Sequence, residues 1–539
     1  MNQPDYVVVG GGSSGCVMAH RLAMAGKQVL LLEDGPADNS LYIHMPATFV
    51  KVIGTKRTVI YESDPQPGVN GRISYVPQGR TLGGGSSVNA MLYIRGQRQD
   101  YDGWEALGCD GWGWDKVLPA FRKAENNMRL SDEYHGTNGP LRVSDTRFRH
   151  PLSLAFVKAA QQCGLKYNDD FNGEDQAGVG FYHTTTFNGQ RGSTAATYLA
   201  AVKDKPNLEI QTGCYVRKLI FNEDKRVTGV EYKDGKGEIR SVNVREEVVL
   251  CAGALSTPKI LMLSGIGPTA ELSKHGIKPL VTREQVGQNF QDHLEVGVYG
   301  RTRNPVSLYG NDQGIKALKH GLQWTLFRTG MLTSNVVESG LFADTGGEGR
   351  PDIQFHVVPT LMGDVDREPI EGHGLTLSPC FLRPKSRGSV RLRSANPEDS
   401  MQFDSGALSE QSDVDALVRG VRLARKILRA PELAKVIEHE LKPSAEEEIS
   451  DAELEAHVRS HAKTVYHPAG TCRMGSDSDA VVSPTLEVNG VKGVRIADAS
   501  IMPTLVSGNT NAPVIMIAER CADFILNQTE SQSGGRAVA

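Results

Sequence analysis

"DYVVVGGGSSGCVMAHRLAMAGKQVLLLEDG", residues 5–35, decides the fold. "YVVV" is a short β-branched run of the kind that forms a strand buried on both faces. Gly10, Gly12 and Gly15 follow as G-x-G-x-x-G. "SGCVMAHRLAMAG" has helical periodicity and stops at Gly26, and "QVLLLED" is a second buried strand ending at Glu33. Each part has a task. Gly10 permits a tight turn, Gly12 lets backbone N–H groups approach a pyrophosphate at the helix N-terminus, and Gly15 lets helix and strand pack closely. Glu33 can accept from both hydroxyls of an adenosine ribose. That acid argues against a 2′-phosphate, so the pattern points to FAD or NAD rather than NADP.

The rest of the chain sets bounds on this reading. With 539 residues it is too long for one simple core, and two interleaved domains are expected. Apolar content is 39% and charged content 23%, ordinary for a globular enzyme. A formal net charge of −4 gives no sign of a nucleic-acid partner. The N-terminus runs into a strand without a basic segment or an apolar core, so no signal peptide is expected. None of the eight cysteines forms C-x-x-C, which reads as reduced thiols in a cytoplasmic enzyme and not as a disulfide framework or a metal centre. No apolar run is long enough to span a bilayer, and no amphipathic basic helix stands out as an anchor. Association with the inner face of the membrane is left open.

Two further glycine-rich stretches carry the pattern on. "GRTLGGGSSVNAMLYIRGQRQDYD", residues 79–102, is a polar loop leading into an apolar run, as a ligand cradle would. In "GALSTPKILMLSGIG", residues 253–267, Ser256 and Thr257 can cap a helix whose first turn holds Pro258. Together these segments resemble the two signature segments of the glucose–methanol–choline family of flavin oxidoreductases. "VGQNFQDH", residues 286–293, and "ADASIMPTLVSGNTNAPVIMIAE", residues 497–519, are similar to that family as well, in its order.

The resemblance implies a doubly wound, Rossmann-type α/β domain for FAD and an interleaved substrate domain on an antiparallel sheet flanked by helices. The FAD domain is expected over 1–155, 192–300 and 455–530, the substrate domain over 156–191 and 301–454, with a flexible tail at 531–539. It implies FAD contacts from Gly10, Gly12, Ser13, Ser14, Gly15, Glu33 and Asp34. Arg80, Gly84, Ser87, Asn89, Ala90 and Met91 are expected to supply more from the second segment, with Val216 and Ala252 beyond it. Asp498, Ala499, Asn509 and Ala512 complete the set. Relatives that bind FAD covalently carry a histidine where this chain has Val88, so non-covalent FAD is expected.

"TVYHPAGTCRMG", residues 464–475, holds His467. Alone, the stretch is compatible with a metal ligand beside Cys472, with a core histidine, and with a proton acceptor, the core histidine being favoured. The resemblance implies the third: a histidine facing the flavin, paired with the asparagine of "NTNAP", read as Asn511. An alcohol does not readily lose hydride while its oxygen keeps its proton. A neutral imidazole takes that proton as hydride leaves carbon for flavin N5, and an amide orients the oxygen. His461 is read as structural or exposed, and Cys472 as a small buried residue. The helix opening "APVIMIAE" would direct its positive end at the flavin.

"GMLTSNVVESGLF" and "YHPAGTCRMG" resemble bacterial choline-dehydrogenase-like enzymes acting on aliphatic primary alcohols, with a quinone or an artificial dye as acceptor. An alcohol oxidase using O2 and a choline dehydrogenase are the alternatives. A quaternary ammonium substrate calls for a carboxylate and an aromatic cage. Glu338 is the candidate carboxylate. The expected reaction is oxidation of a primary alcohol to an aldehyde, with His467 as base.

Overall fold

The computed structural model describes residues 3–363 and 370–536. The Tyr6–Val9 run lies at the centre of a five-stranded parallel sheet. Its order is Leu208–Thr212, Val29–Glu33, Tyr6–Val9, Glu247–Leu250, Val494–Ile496. All four residues of Tyr6–Val9 are buried, as a run without polar alternation requires. The helix Ser13–Met24 packs against the sheet and against the last helix, Asn511–Arg536. That last helix runs on into the stretch expected to be a flexible tail, and residues 537–539 lie outside the described ones.

The second sheet is antiparallel. Its order is Ile437–Lys442, Val298–Thr302, Gly374–Phe381, Ile353–Val358, Ser339–Ala343, Gly178–Phe181. The short strands Leu294–Glu295 and Lys463–Thr464 join at Gly374–Phe381. Strand 298–302 thus straddles the expected boundary at residue 300. After the short helix Pro431–Ala434 the chain forms the edge strand Ile437–Lys442, which pairs with 298–302. The helix before it, Gln411–Leu428, buries Val414, Leu417 and Val421 against the sheet, as its spacing indicates.

Side chains alternate across this sheet. On Ile353–Val358, Ile353, Phe355 and Val357 enter the core under the helices, while His356 and Val358 line the cavity on the other face. On Gly374–Phe381, Leu375 and Leu377 are core while Thr376 and Ser378 line the cavity. Register places His356 opposite Ser378 and Val358 opposite Thr376. One face of the sheet therefore holds the domain together and the other is free for chemistry.

Candidate active site

A cavity of about 680 Å³ runs from the glycine-rich turn of the first sheet to the polar face of the second. That lies within the range of roughly 300–1,000 Å³ usual for a ligand site. Among the residues expected to bind a dinucleotide, all line it except Gly15, Ser87 and Ala512. A Cβ on Gly15 would fall 1.8 Å from the Gly10 carbonyl oxygen, so that glycine serves helix–strand packing. The Ser87 hydroxyl donates to the Leu82 carbonyl at 2.7 Å inside its own loop. Ala512 belongs to the hydrophobic core.

The cavity's cofactor end fits FAD. A Cβ on Gly12 would meet no protein atom closer than 3.8 Å, so packing gives no reason for glycine there, whereas a pyrophosphate close to the backbone does. Gly10 has φ +96°, open to glycine alone in practice. Glu33 is buried at the strand end and accepts from Gly11 N–H at 2.7 Å and Gly35 N–H at 2.8 Å, which fixes its carboxylate on the cavity wall. Burial raises its pKa, with the two N–H groups opposing. Arg80 pairs with Asp34 beside it. Asp498 spends its carboxylate on protein groups. It accepts from Gly253 N–H at 2.8 Å, Thr257 Oγ1 at 2.6 Å and Ser500 N–H at 2.9 Å.

Gly253–Leu263 starts earlier than its capping pattern suggests, with Ala252 at the cap and Pro258 inside. Proline lacks the N–H that would bond the carbonyl four residues back. That carbonyl, of Ala254, accepts instead from Thr471 Oγ1 at 2.5 Å, which ties the "PAGT" segment to the cofactor side.

The turn carrying His467 is held from one carboxylate. Asp292 accepts from the His467 N–H at 2.9 Å and from the Thr464 hydroxyl. Thr464 Oγ1 in turn accepts from Tyr466 N–H at 2.8 Å. Between them Tyr466 sits at φ +69°, a left-handed conformation costing on the order of 1 kcal/mol for a non-glycine residue. Burial pushes the Asp292 carboxyl up to about 7.

His467 Nδ1 lies 3.0 Å from His293 Nδ1, and His293 Nε2 lies 3.0 Å from the Leu382 carbonyl oxygen. The tautomers follow. A carbonyl only accepts, so His293 carries its proton on Nε2 and presents a lone pair at Nδ1. His467 must therefore donate from Nδ1, which leaves Nε2 with a lone pair. At 3.4 Å from that nitrogen stands Asn509 Nδ2, and Asn509 Oδ1 accepts from Gln354 Nε2 at 3.0 Å, so its amide faces one way. Burial, then repulsion from His293 and His356, holds His467 well below the usual histidine pKa, and burial brings His293 to about 4. Both rings are neutral at physiological pH.

The amide beside His467 is thus Asn509, expected as a cofactor contact, and not Asn511. Asn511 Oδ1 accepts from Ser13 Oγ at 2.8 Å and joins the two helix N-termini at the cavity. The two asparagines are two residues apart, and Asn511 opens the helix while Asn509 lies in the preceding loop, so they point to different ends of the site. Glu338 does not line the cavity. It is buried between the His150 N–H at 2.5 Å and the Ser334 hydroxyl at 2.5 Å. A carboxylate that does line the cavity, on the second sheet, is Glu295, which accepts from His356 Nδ1 at 2.8 Å and pairs with Lys463 Nζ at 3.5 Å. Burial opposes its ionisation, but these two partners outweigh it and keep its pKa below normal. His293, Glu295, His356 and Lys463 were not legible as site residues. The first two stand in or just after "QNFQDH", where an adjacent Asp–His pair was the available signal. His461 stacks on His457 at 4.4 Å, and Cys472 is fully buried.

Comparison with known proteins gives the family. The N-terminal and C-terminal GMC oxidoreductase family models match residues 4–295 and 384–518. Alcohol dehydrogenase [acceptor] of Pseudomonas putida is 43% identical over 98% of this chain and 97% of its own length. Mitochondrial choline dehydrogenase of Mus musculus is 41% identical over 96% of this chain and 89% of its own. The crystal structure of pyridoxine 4-oxidase from Mesorbium loti superposes with a TM-score of 0.88 at 32% identity, covering 97% of this chain and 99% of that one. The chain belongs to the GMC oxidoreductase family, whose members bind FAD.

Proposed function

We propose that this protein oxidises a neutral primary alcohol to the aldehyde and passes the electrons to a quinone or a similar acceptor. The observation that carries this is the pair His467 Nε2 and Asn509 Nδ2, one lone pair and one N–H facing each other on the wall of a cavity shared with the dinucleotide cradle. FAD, when bound, supplies the hydride acceptor. An alcohol oxygen placed between the pair donates its proton to His467 Nε2 and accepts from Asn509 Nδ2–H. As His467 gains its proton, its Nδ1–H stays on the His293 lone pair, so the ring neither turns nor changes tautomer. Asp292 keeps the backbone of the turn in place meanwhile.

The far wall supports an uncharged substrate. Val337, Val358, Met362 and Tyr466 give it an apolar surface. Glu295 is the carboxylate a quaternary ammonium would need, which favours choline as the second reading, but Lys463 already neutralises it. A buried charge with a partner in place has little to offer a second cation. The acceptor assignment rests on the likeness to the Pseudomonas putida alcohol dehydrogenase [acceptor]. Val88 lines the cavity with a side chain that cannot bond to a flavin, which supports non-covalent FAD.

The test is anaerobic mixing of the yellow protein with hexanol, benzyl alcohol and choline, followed at the flavin band near ~450 nm. Bleaching by the neutral alcohols at least about tenfold faster than by choline is expected. Slow recolouring on admission of air supports a dehydrogenase, and rapid recolouring points to the oxidase. Bleaching by choline alone would overturn the substrate reading.

A further inference from the structure

The helix Gly314–Phe327 stands on the surface with one buried side chain, Trp324. Trp324 pins it: the indole N–H donates to the Gly189 carbonyl at 2.7 Å, and the Arg328 guanidinium lies 3.6 Å over the ring. At about 100° per residue, Ile315, Leu318, Leu322 and Leu326 fall within an arc of roughly 80°, nearly opposite Trp324. They are 86%, 63%, 52% and 66% exposed, and Phe327 is 69% exposed. Five of the seventeen exposed large apolar side chains among the described residues thus stand on one short helix. A stripe at this spacing normally faces a core, and only its direction shows that it does not. For that reason it did not stand out in the sequence.

Its charge is equally one-sided. Residues 313–337 contain no aspartate or glutamate but hold Lys316, Lys319 and Arg328, in a chain of net charge −4. Lys319 and Lys316 border the stripe along one flank. An outward apolar stripe with a cationic border is the form of a helix lying in the interface of an anionic bilayer. A two-fold contact between copies of this chain fits less well, since it would bring Lys316 and Lys319 together from both sides with no carboxylate of this segment between them. No described helix is long and apolar enough to cross a membrane, so the helix would lie on the surface.

The geometry points to this helix as the docking surface for an anionic lipid membrane. The stretch Pro46–Lys51 connects it to the cavity. Lys51 pairs with Asp312 at 3.3 Å just before the helix, the turn Met331–Thr333 packs on the same stretch just after it, and Phe49 lines the cavity. The helix is therefore one layer of structure from the cavity.

The FAD-loaded protein is to be sedimented with vesicles of phosphatidylcholine and phosphatidylglycerol in equal parts, and with phosphatidylcholine alone. The double variants Leu318→Asp/Leu322→Asp and Lys316→Glu/Lys319→Glu are run beside it. The parent is expected to sediment with the anionic vesicles only, and less at high salt, and each variant to bind at least about tenfold less with an unaltered flavin spectrum. Three results would overturn the proposal: no sedimentation of the parent, equal sedimentation of the variants, or light scattering giving the parent twice the mass of Leu318→Asp/Leu322→Asp. The last would assign the stripe to a second copy. None of these readouts depends on alcohol turnover.

Discussion

The two ends of the cavity are built in opposite ways. The dinucleotide cradle comes from contiguous runs, Gly10–Gly12 and Gly84–Gly85, in which backbone does the work. The substrate wall comes from single side chains on separate strands and loops, Glu295, His356, Lys463, His467 and Asn509, each set in place by a partner far away in sequence. A site made of backbone tolerates side-chain replacement and fails through changes at glycine. A site made of side chains fails residue by residue. Variants at the substrate wall should therefore lose turnover and keep FAD.

The largest effect is expected at His467. His467→Ala removes the proton acceptor and should slow flavin reduction by alcohol about 10³–10⁴-fold while FAD content stays at the parent level. Parent-like reduction would refute the base assignment. Next, Asn509→Ala should slow reduction about 10²-fold, whereas Asn511→Ala should stay within a few-fold and instead weaken FAD retention through the lost Ser13 contact. Reversal of that pair of results would reinstate Asn511 as the orienting amide. His293→Leu removes the acceptor that holds His467 in its tautomer and should cost about 10–10²-fold, with an altered pH profile that a purely structural change would not give. Lys463→Met leaves Glu295 with His356 as its remaining partner and should tighten inhibition by a small quaternary ammonium ion about tenfold; unchanged inhibition would mean that Glu295 does not face the substrate.

The smallest effect concerns acid stability. Burial lowers His20, His150 and His293 to about 4, with Arg21 adding to the shift at His20 and His356 to that at His293. Each binds a proton more readily in the unfolded chain, near pH 6.5. Stability from these groups is complete above that pH and is lost as the pH falls towards 4. Asp292, raised to about 7, works the other way, since its ionisation penalty applies above its unfolded value and is relieved on acidification. The histidine contribution is isolated by a variant: between pH 6.5 and pH 5 the parent should lose a few degrees of Tm more than His150→Asn does, and equal losses would contradict a buried neutral histidine there. The same shift at His467 predicts that the acid limb of alcohol-driven flavin reduction lies below pH 6.5.

How much of this is legible in sequence follows from the same contrast. G-x-G-x-x-G between two apolar runs states its fold locally, because the strand, the turn and the helix N-terminus adjoin in the chain. His467 was visible as a single imidazole in a stretch similar to the family's. Its partners were not, since the His293 contact spans 174 positions and the Glu295–Lys463 pair depends on two short strands meeting. Asn509 and Asn511 are identical side chains two residues apart, and only the start of a helix tells them apart. The apolar stripe of Gly314–Phe327 carries the same ambiguity, since spacing gives a face and not its direction.

The alternation along Ile353–Val358 and Gly374–Phe381 bears on how such a protein changes over generations. Substitutions at 356, 358, 376 and 378 alter what the cavity accepts without disturbing the interleaved core positions 353, 355, 357, 375 and 377. Selection for a new alcohol can therefore proceed one side chain at a time, with the stability of the domain inherited intact. Insertion of one residue has the opposite consequence. It exchanges the two faces downstream of the insertion, and so these strands should drift freely in composition while holding their length.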